Sequence, residues 1–173
     1  MDLEQGHIYH LYNQGNNHEK IFFTSANYSY FLKKIEQHIA PLADILAWCL
    51  MPNHFHLLLY QIEEGGMSKL MHGIMTSYSL YFNHKYGRTG PLFESRYKGS
   101  RISSDEYLLH ISRYIHRNPD VWIDYPHSSI RAYLYNDIPK WMNKSHIVEL
   151  YGSAVKYHEF LEDYLDKNNK IKI

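Results

Sequence analysis

His54 and His56, in Met51-Pro52-Asn53-His54-Phe55-His56-Leu57-Leu58-Leu59-Tyr60, are the first residues whose type and spacing suit chemistry. Pro52-Asn53 reads as a turn, and after it Phe55, Leu57 and Leu59 alternate with His54, His56 and Leu58 as in a buried strand. Strand side chains repeat every two residues, so both imidazoles leave one face with their Cα atoms about 6.6–7 Å apart. They can converge on one cation, and they also suit two polar positions of a half-buried strand. A second group lies further along, where Tyr107, Tyr114 and Asn118 share one side of a helical pattern with His110 and Arg117 beside them. Tyr114 and Asn118 are i and i+4 and stand one turn apart. Tyrosine has an ordinary pKa near about 10, so it attacks poorly at neutral pH without a base or a nearby positive charge. His110, one turn before Tyr114, is a candidate proton acceptor, and Tyr107 is the rival nucleophile. Asn118, preceding Pro119, also has a full explanation as a helix C-terminal cap.

These groups need positioning elements. His7–Asn13 reads as strand one, ending at Gln14-Gly15-Asn16-Asn17. After Thr24 or Ser25 as N-cap, Tyr28, Phe31, Leu32, Ile35 and Ile39 fall at helical spacing until Pro41. Asp44–Leu50 is strand two, a hairpin partner for the histidine strand, and Gly65-Gly66 then breaks the chain. Met67, Leu70, Met71, Ile74, Tyr78, Tyr81 and Phe82 trace an amphipathic helix closed by Gly87. Leu92–Ile102 is expected as strand four. Ser103-Ser104-Asp105-Glu106 has capping-box spacing with Ser103 as the cap, opening a helix that runs to about Asn118 on a stripe of Leu108, Ile111 and Ile115. Arg131–Tyr135 has too little periodicity to place, and Val148–Leu165 is expected as a terminal helix. The order is β-α-β-β-α-β, an α+β, ferredoxin-like (split βαβ) antiparallel sheet with helices on one face, followed by a C-terminal helix bearing Tyr114 and a helical tail. One domain over 1–173 is expected, its core about 7–135 and its tail about 136–173.

Composition narrows the classes. A chain of 173 residues with 45% hydrophobic content can bury an ordinary core without staples. The 17 tyrosines, 7 phenylalanines and 3 tryptophans could stack on unpaired bases, but most must fill the core. The lone Cys49, the absence of a basic-apolar leader and the lack of a run of about 20 apolar residues indicate a cytoplasmic protein with no membrane span. A net charge of zero argues against indiscriminate polyanion binding. Charge is unevenly spread, however: Lys85, Arg88, Arg96, Lys98, Arg101 and Arg113 cluster in one stretch and are candidate phosphate contacts.

The ordered set Pro52-Asn53-His54-Phe55-His56, Asn83–Arg96, Tyr114-Ile115-His116-Arg117-Asn118-Pro119 and His127-Ser128-Ser129 before Tyr133 resembles the IS200-like single-tyrosine transposases with a His-hydrophobic-His motif, most nearly those associated with repetitive extragenic palindromes. The resemblance spans roughly 8–133. It implies His54, His56 and Asn118 as ligands of Mg²⁺ or Mn²⁺, and Tyr114 as the nucleophile that attacks single-stranded DNA to leave a 5′-phosphotyrosine. It implies hairpin or palindromic single-stranded DNA as partner, action at the nucleoid and a possible homodimer. Two other classes fit parts of the sequence: a non-catalytic single-strand-binding module on a ferredoxin-like sheet, and a metal-dependent phosphoesterase that needs the histidines but not Tyr114.

Overall fold

The computed structural model describes residues 3–163. Within them run β1 (Ile8–Gln14), α1 (Ser25–His38), β2 (Ala43–Met51), β3 (His54–Gln61), α2 (Gly66–Tyr86), β4 (Lys98–Arg101) and α3 (Asp105–His116). The tail carries α4 (Ile130–Leu134), α5 (Ser145–Tyr151) and α6 (Ala154–Glu162). The sheet order is β2-β3-β1-β4, and every neighbouring pair is antiparallel. This is the expected split βαβ arrangement of an α+β fold.

Register determines what each face carries. Tyr12 pairs with His56, His10 with Leu58 and Gln14 with His54, so His10, Tyr12, His54 and His56 occupy one face. Tyr9, Leu11 and Asn13 lie on the other with Phe55, Leu57 and Leu59. The two crossover helices share that second face: Phe31 of α1 packs on Phe55, and Asn13 reaches Met75 of α2. The histidine face is covered by α3, whose Leu108, Ile111, Tyr114 and Ile115 are buried.

The tail closes the outer side of β2. His127 O accepts from Leu50 N–H at 2.8 Å, Trp48 O from Ser129 N–H at 2.9 Å, and Ile45 O from Asn143 N–H at 2.9 Å.

Several boundaries depart from expectation. The fourth strand spans Lys98–Arg101 rather than Leu92–Ile102. Residues 92–97 do not continue the ladder and approach β1 irregularly, through Glu94 N–H to Gln14 O and Asn13 Nδ2 to Ser95 O. The cap of α3 is Ser104, not Ser103; its hydroxyl accepts from Tyr107 N–H at 3.2 Å, which places Asp105 and Glu106 together in the first turn. That helix ends at His116, with Arg117 as its C-cap at φ −91° and ψ 2°. The expected terminal helix is two, because Gly152 takes a left-handed φ of 74° after α5 and Ser153 caps α6. Its expected end at Leu165 lies outside the described residues. Residues 130–134, unplaced from sequence, form α4. Thr24 caps α1, and Gly87 closes α2 at φ 60°.

Candidate active site

The histidine motif and the tyrosine helix meet on the sheet face that carries His10. The Tyr114 ring stands edge-on to His56 at 5.2 Å between centroids and to His10 at 6.1 Å. The side chain of Asn118, just past the end of α3, brings Oδ1 to 3.0 Å from His54 Nε2. The cap position belongs to Arg117, so the amide of Asn118 is committed to His54 rather than to the helix end. The hairpin turn, the β3 register and the α3 terminus thus bring together the four residues expected to form the site: His54, His56, Tyr114 and Asn118.

A neutral imidazole carries one N–H, yet His54 faces two amide oxygens. Its Nδ1 lies 2.8 Å from Asn53 Oδ1, while its Nε2 faces Asn118. Burial lowers the pKa of His54, with the Asn118 contact acting against it, so one proton serves two acceptors. With that proton on Nδ1 toward Asn53, Nε2 and Asn118 Oδ1 present lone pairs to each other. Their 3.0 Å separation is close to the edge of an octahedron with metal–ligand bonds of about 2.1 Å.

His56 is fully buried, and its Nε2 is without a hydrogen-bond partner among the described residues. Burial is the main cause that holds its pKa well below the ordinary value, with His10 and His54 adding to it. A cation would relieve the orphaned imidazole nitrogen and, with the His54 proton on Nδ1, the facing lone pairs of His54 and Asn118, so these residues fit a divalent ion. The donor set of imidazole and amide oxygen suits Mn²⁺ at least as well as Mg²⁺. Among the described residues no three His, Cys, Asp or Glu side chains converge, so the protein part of such a shell depends on Asn118.

The remaining candidates are placed elsewhere. His110 and Tyr107 line a cavity of about 370 Å³ with Ser104, Arg113 and Phe160, on the side of α3 toward α6. Tyr107 therefore parts from Tyr114 despite the shared helical stripe. Three of the basic candidates are engaged in ion pairs: Arg88 with Glu19 at 3.0 Å, Lys98 with Glu94 at 3.7 Å and Arg101 with Glu4 at 3.0 Å. The Arg113 guanidinium lies 4.0 Å over the Phe160 ring, Arg96 5.7 Å over Tyr97, and Lys85 bonds Tyr81 Oη at 3.0 Å.

Sequence reasoning passed over two residues that the structure places against the motif histidines. His10 Nε2 lies 2.9 Å from His56 Nδ1, with the rings stacked 5.1 Å apart. Asn53, read only as a turn former, anchors His54. A polar residue at every second position of strand one, His10-x-Tyr12, marks the same face as the histidine pair, but only the register says which residues meet.

The family model described as transposase IS200-like matches residues 4–118. No curated protein matches the chain. Among solved structures, a REP-associated tyrosine transposase bound to a REP hairpin aligns at a TM-score of 0.62 and 20% identity, over 83% of this chain and 88% of that one. At that identity the likeness is one of fold. A candidate transposase from Deinococcus radiodurans aligns at a TM-score of 0.45 and 15% identity, over 68% of this chain and 97% of that one. A bacterial tRNA(His) guanylyltransferase-like protein in complex with GTP does so at 0.45 and 10%, over 83% and 76%.

Proposed function

Because the chain belongs to the IS200-like transposase family, and is thereby an enzyme that transposes DNA, we propose that it cuts and rejoins single-stranded DNA through Tyr114. The reading rests on one observation: Tyr114 stands against His56 on the face where His54 meets Asn118. The Tyr114 oxygen attacks phosphorus, a new P–O bond joins Tyr114 to the 5′-phosphate of the downstream strand, and the bond from phosphorus to the 3′ oxygen of the upstream strand breaks. The phenolic proton leaves to solvent or a base, and the departing 3′ oxygen takes up a proton. Reversal by that 3′-hydroxyl, or by another, rejoins DNA without an external energy source.

His54, His56 and Asn118 would hold Mg²⁺ or Mn²⁺, whose chemistry when bound is to polarise the phosphate oxygens and offset developing charge. The chain itself orients the phenol, since α3 buries Leu108, Ile111 and Ile115 against the sheet and sets the Tyr114 ring edge-on to His56.

Residues 102–104 alone join β4 to α3, and Ile102 N–H is bonded to Ile8 O at 2.9 Å. So short a tether favours a site built within one chain, acting in the cytoplasm at the nucleoid. A hairpin flank suits the partner, held by a few local cations; binding should weaken steeply as salt rises.

Covalent capture tests the reading. Protein, Mn²⁺ and labelled single-stranded hairpins with varied flanks are run on a denaturing gel. We expect a metal-dependent adduct that maps to Tyr114 and is lost in Tyr114→Phe. An adduct that persists in the variant moves the nucleophile, Tyr107 first. Turnover of a small phosphodiester without an adduct identifies a phosphoesterase.

A further inference from the structure

We propose that His10 is a positioning residue for this site: it accepts the Nδ1 proton of His56 and so turns the bare Nε2 lone pair of His56 toward the cation. The inference deepens the metal-dependent reading above and rests on it.

The geometry begins with register. His10 faces Leu58 across the β1–β3 ladder and Tyr12 faces His56, so His10 and His56 are diagonal neighbours on one face. Their rings lie 28° from parallel with Nε2 of His10 2.9 Å from Nδ1 of His56. Both side chains are buried, His10 at 3% exposure and His56 at 0%. A hydrogen bond of 2.9 Å between two ring nitrogens needs one N–H and one lone pair, so one proton lies between them.

That proton has two possible homes, with opposite consequences. If His10 donates, His56 must carry its own proton on Nε2, a buried N–H with no acceptor among the described residues. If His56 donates, its Nε2 becomes a bare lone pair, which is the state a metal ligand needs. The N–H then left on His10 is at Nδ1, an atom that is not among the buried polar atoms lacking a partner.

His54 accommodates the same design. Its Nδ1 lies against Asn53 Oδ1 and its Nε2 against Asn118 Oδ1, and a proton held on Nδ1 by Asn53 leaves Nε2 bare beside the site. Each motif histidine is tethered through Nδ1 and offers Nε2. Asn53 belongs to the hairpin turn itself, whereas His10 comes from the neighbouring strand. His10 therefore couples ligand orientation to the pairing of β1 with β3. Its ring also meets the Tyr114 ring edge-on, so removing it loosens the floor under the nucleophile as well.

Long-range ¹H–¹⁵N correlation of the imidazoles in chelated protein reads the tautomer directly, and Mn²⁺ binding followed by electron paramagnetic resonance reads the consequence. In wild type we expect His56 protonated at Nδ1 with Nε2 bare. His10→Phe, which keeps a ring but removes the acceptor, should lower Mn²⁺ affinity about ten- to a hundredfold and let His56 populate the Nε2–H form. His10→Gln, which returns an oxygen acceptor, should restore most of the affinity. An Nε2–H on His56 in wild type overturns the inference, as does unchanged Mn²⁺ affinity in folded His10→Phe. Should His10→Phe not fold, the wild-type tautomer still decides. Wild-type protein without Mn²⁺ affinity overturns the metal reading and this role together, an outcome seen without any variant and so distinct from the others.

Discussion

Asn118 is asked to be both a residue that follows a helix and a ligand, and the two demands agree. Pro119 disfavours helical geometry at the residue before it, and the Asn118 side chain turns back to His54 at 3.0 Å. Its oxygen is the one atom of the proposed shell that can be recharged without moving. In Mn²⁺ titrations Asn118→Ala should weaken binding at least tenfold, about 1.4 kcal/mol. Asn118→Asp should tighten it, because a carboxylate adds charge in the same place. Affinity unchanged by both variants would remove Asn118 from the shell. At this scale the sequence was legible wherever one periodicity sufficed: His54 and His56 share a face because strands repeat every two residues, and Tyr114 and Asn118 are a turn apart. His10 was not legible, since its value lies in which residue of another strand it meets.

The element that carries Tyr114 is locked from behind by the tail. His116, the last residue of α3, bonds Tyr157 of α6 through Nδ1 at 2.7 Å and Ser129 Oγ through Nε2 at 2.7 Å. Tyr157 Oη donates to Ser112 Oγ at 3.1 Å, and Ser112 in turn donates to Leu109 O at 2.8 Å. Trp48 N–H of β2 donates to Ser129 Oγ at 2.9 Å. The Ser129 hydroxyl also lies 3.2 Å from Trp48 O, so its proton goes either there or to His116, and with either direction α3, α4, α6 and β2 are held as a unit. Tyr157→Phe leaves His116 Nδ1 without its buried partner and should cost about 1–3 kcal/mol in denaturant unfolding. Amides of α6 should exchange faster, while β3 stays protected. Helices α1 and α2 could be read from apolar spacing with caps at Thr24 and Gly87. The short β4 and the split between α5 and α6 could not, because in each case tertiary burial or a single left-handed glycine overrode a pattern that continued in the sequence. The N-cap of α3 slipped by one for a local reason: two adjacent serines offer equivalent caps, and only the buried stripe chooses between them.

The whole molecule has a formal net charge of zero, and its buried imidazoles couple folding to pH. Burial holds His116 at about 3, against an ordinary 6.5. As pH falls through 6.5 the unfolded chain takes up a proton that the folded one refuses until about 3, so stability is fullest above 6.5 and is lost across that window. The slope from one such group is about 1.4 kcal/mol per pH unit. Denaturant midpoints of chelated protein should therefore drop from pH 6.5 toward 4, and His116→Gln, though less stable at neutral pH, should drop less steeply. Equal slopes would mean that His116 titrates normally. The tail that secures α3 has a second effect through its bonds to Trp48, Leu50 and Ile45. A sheet of mostly apolar strands ends, on the β2 side, in backbone that is already spoken for, and on the β4 side in four residues that include Lys98 and Arg101. Neither border invites a strand from another copy. The residues after α3 thus cover a border at which two copies could otherwise pair strands.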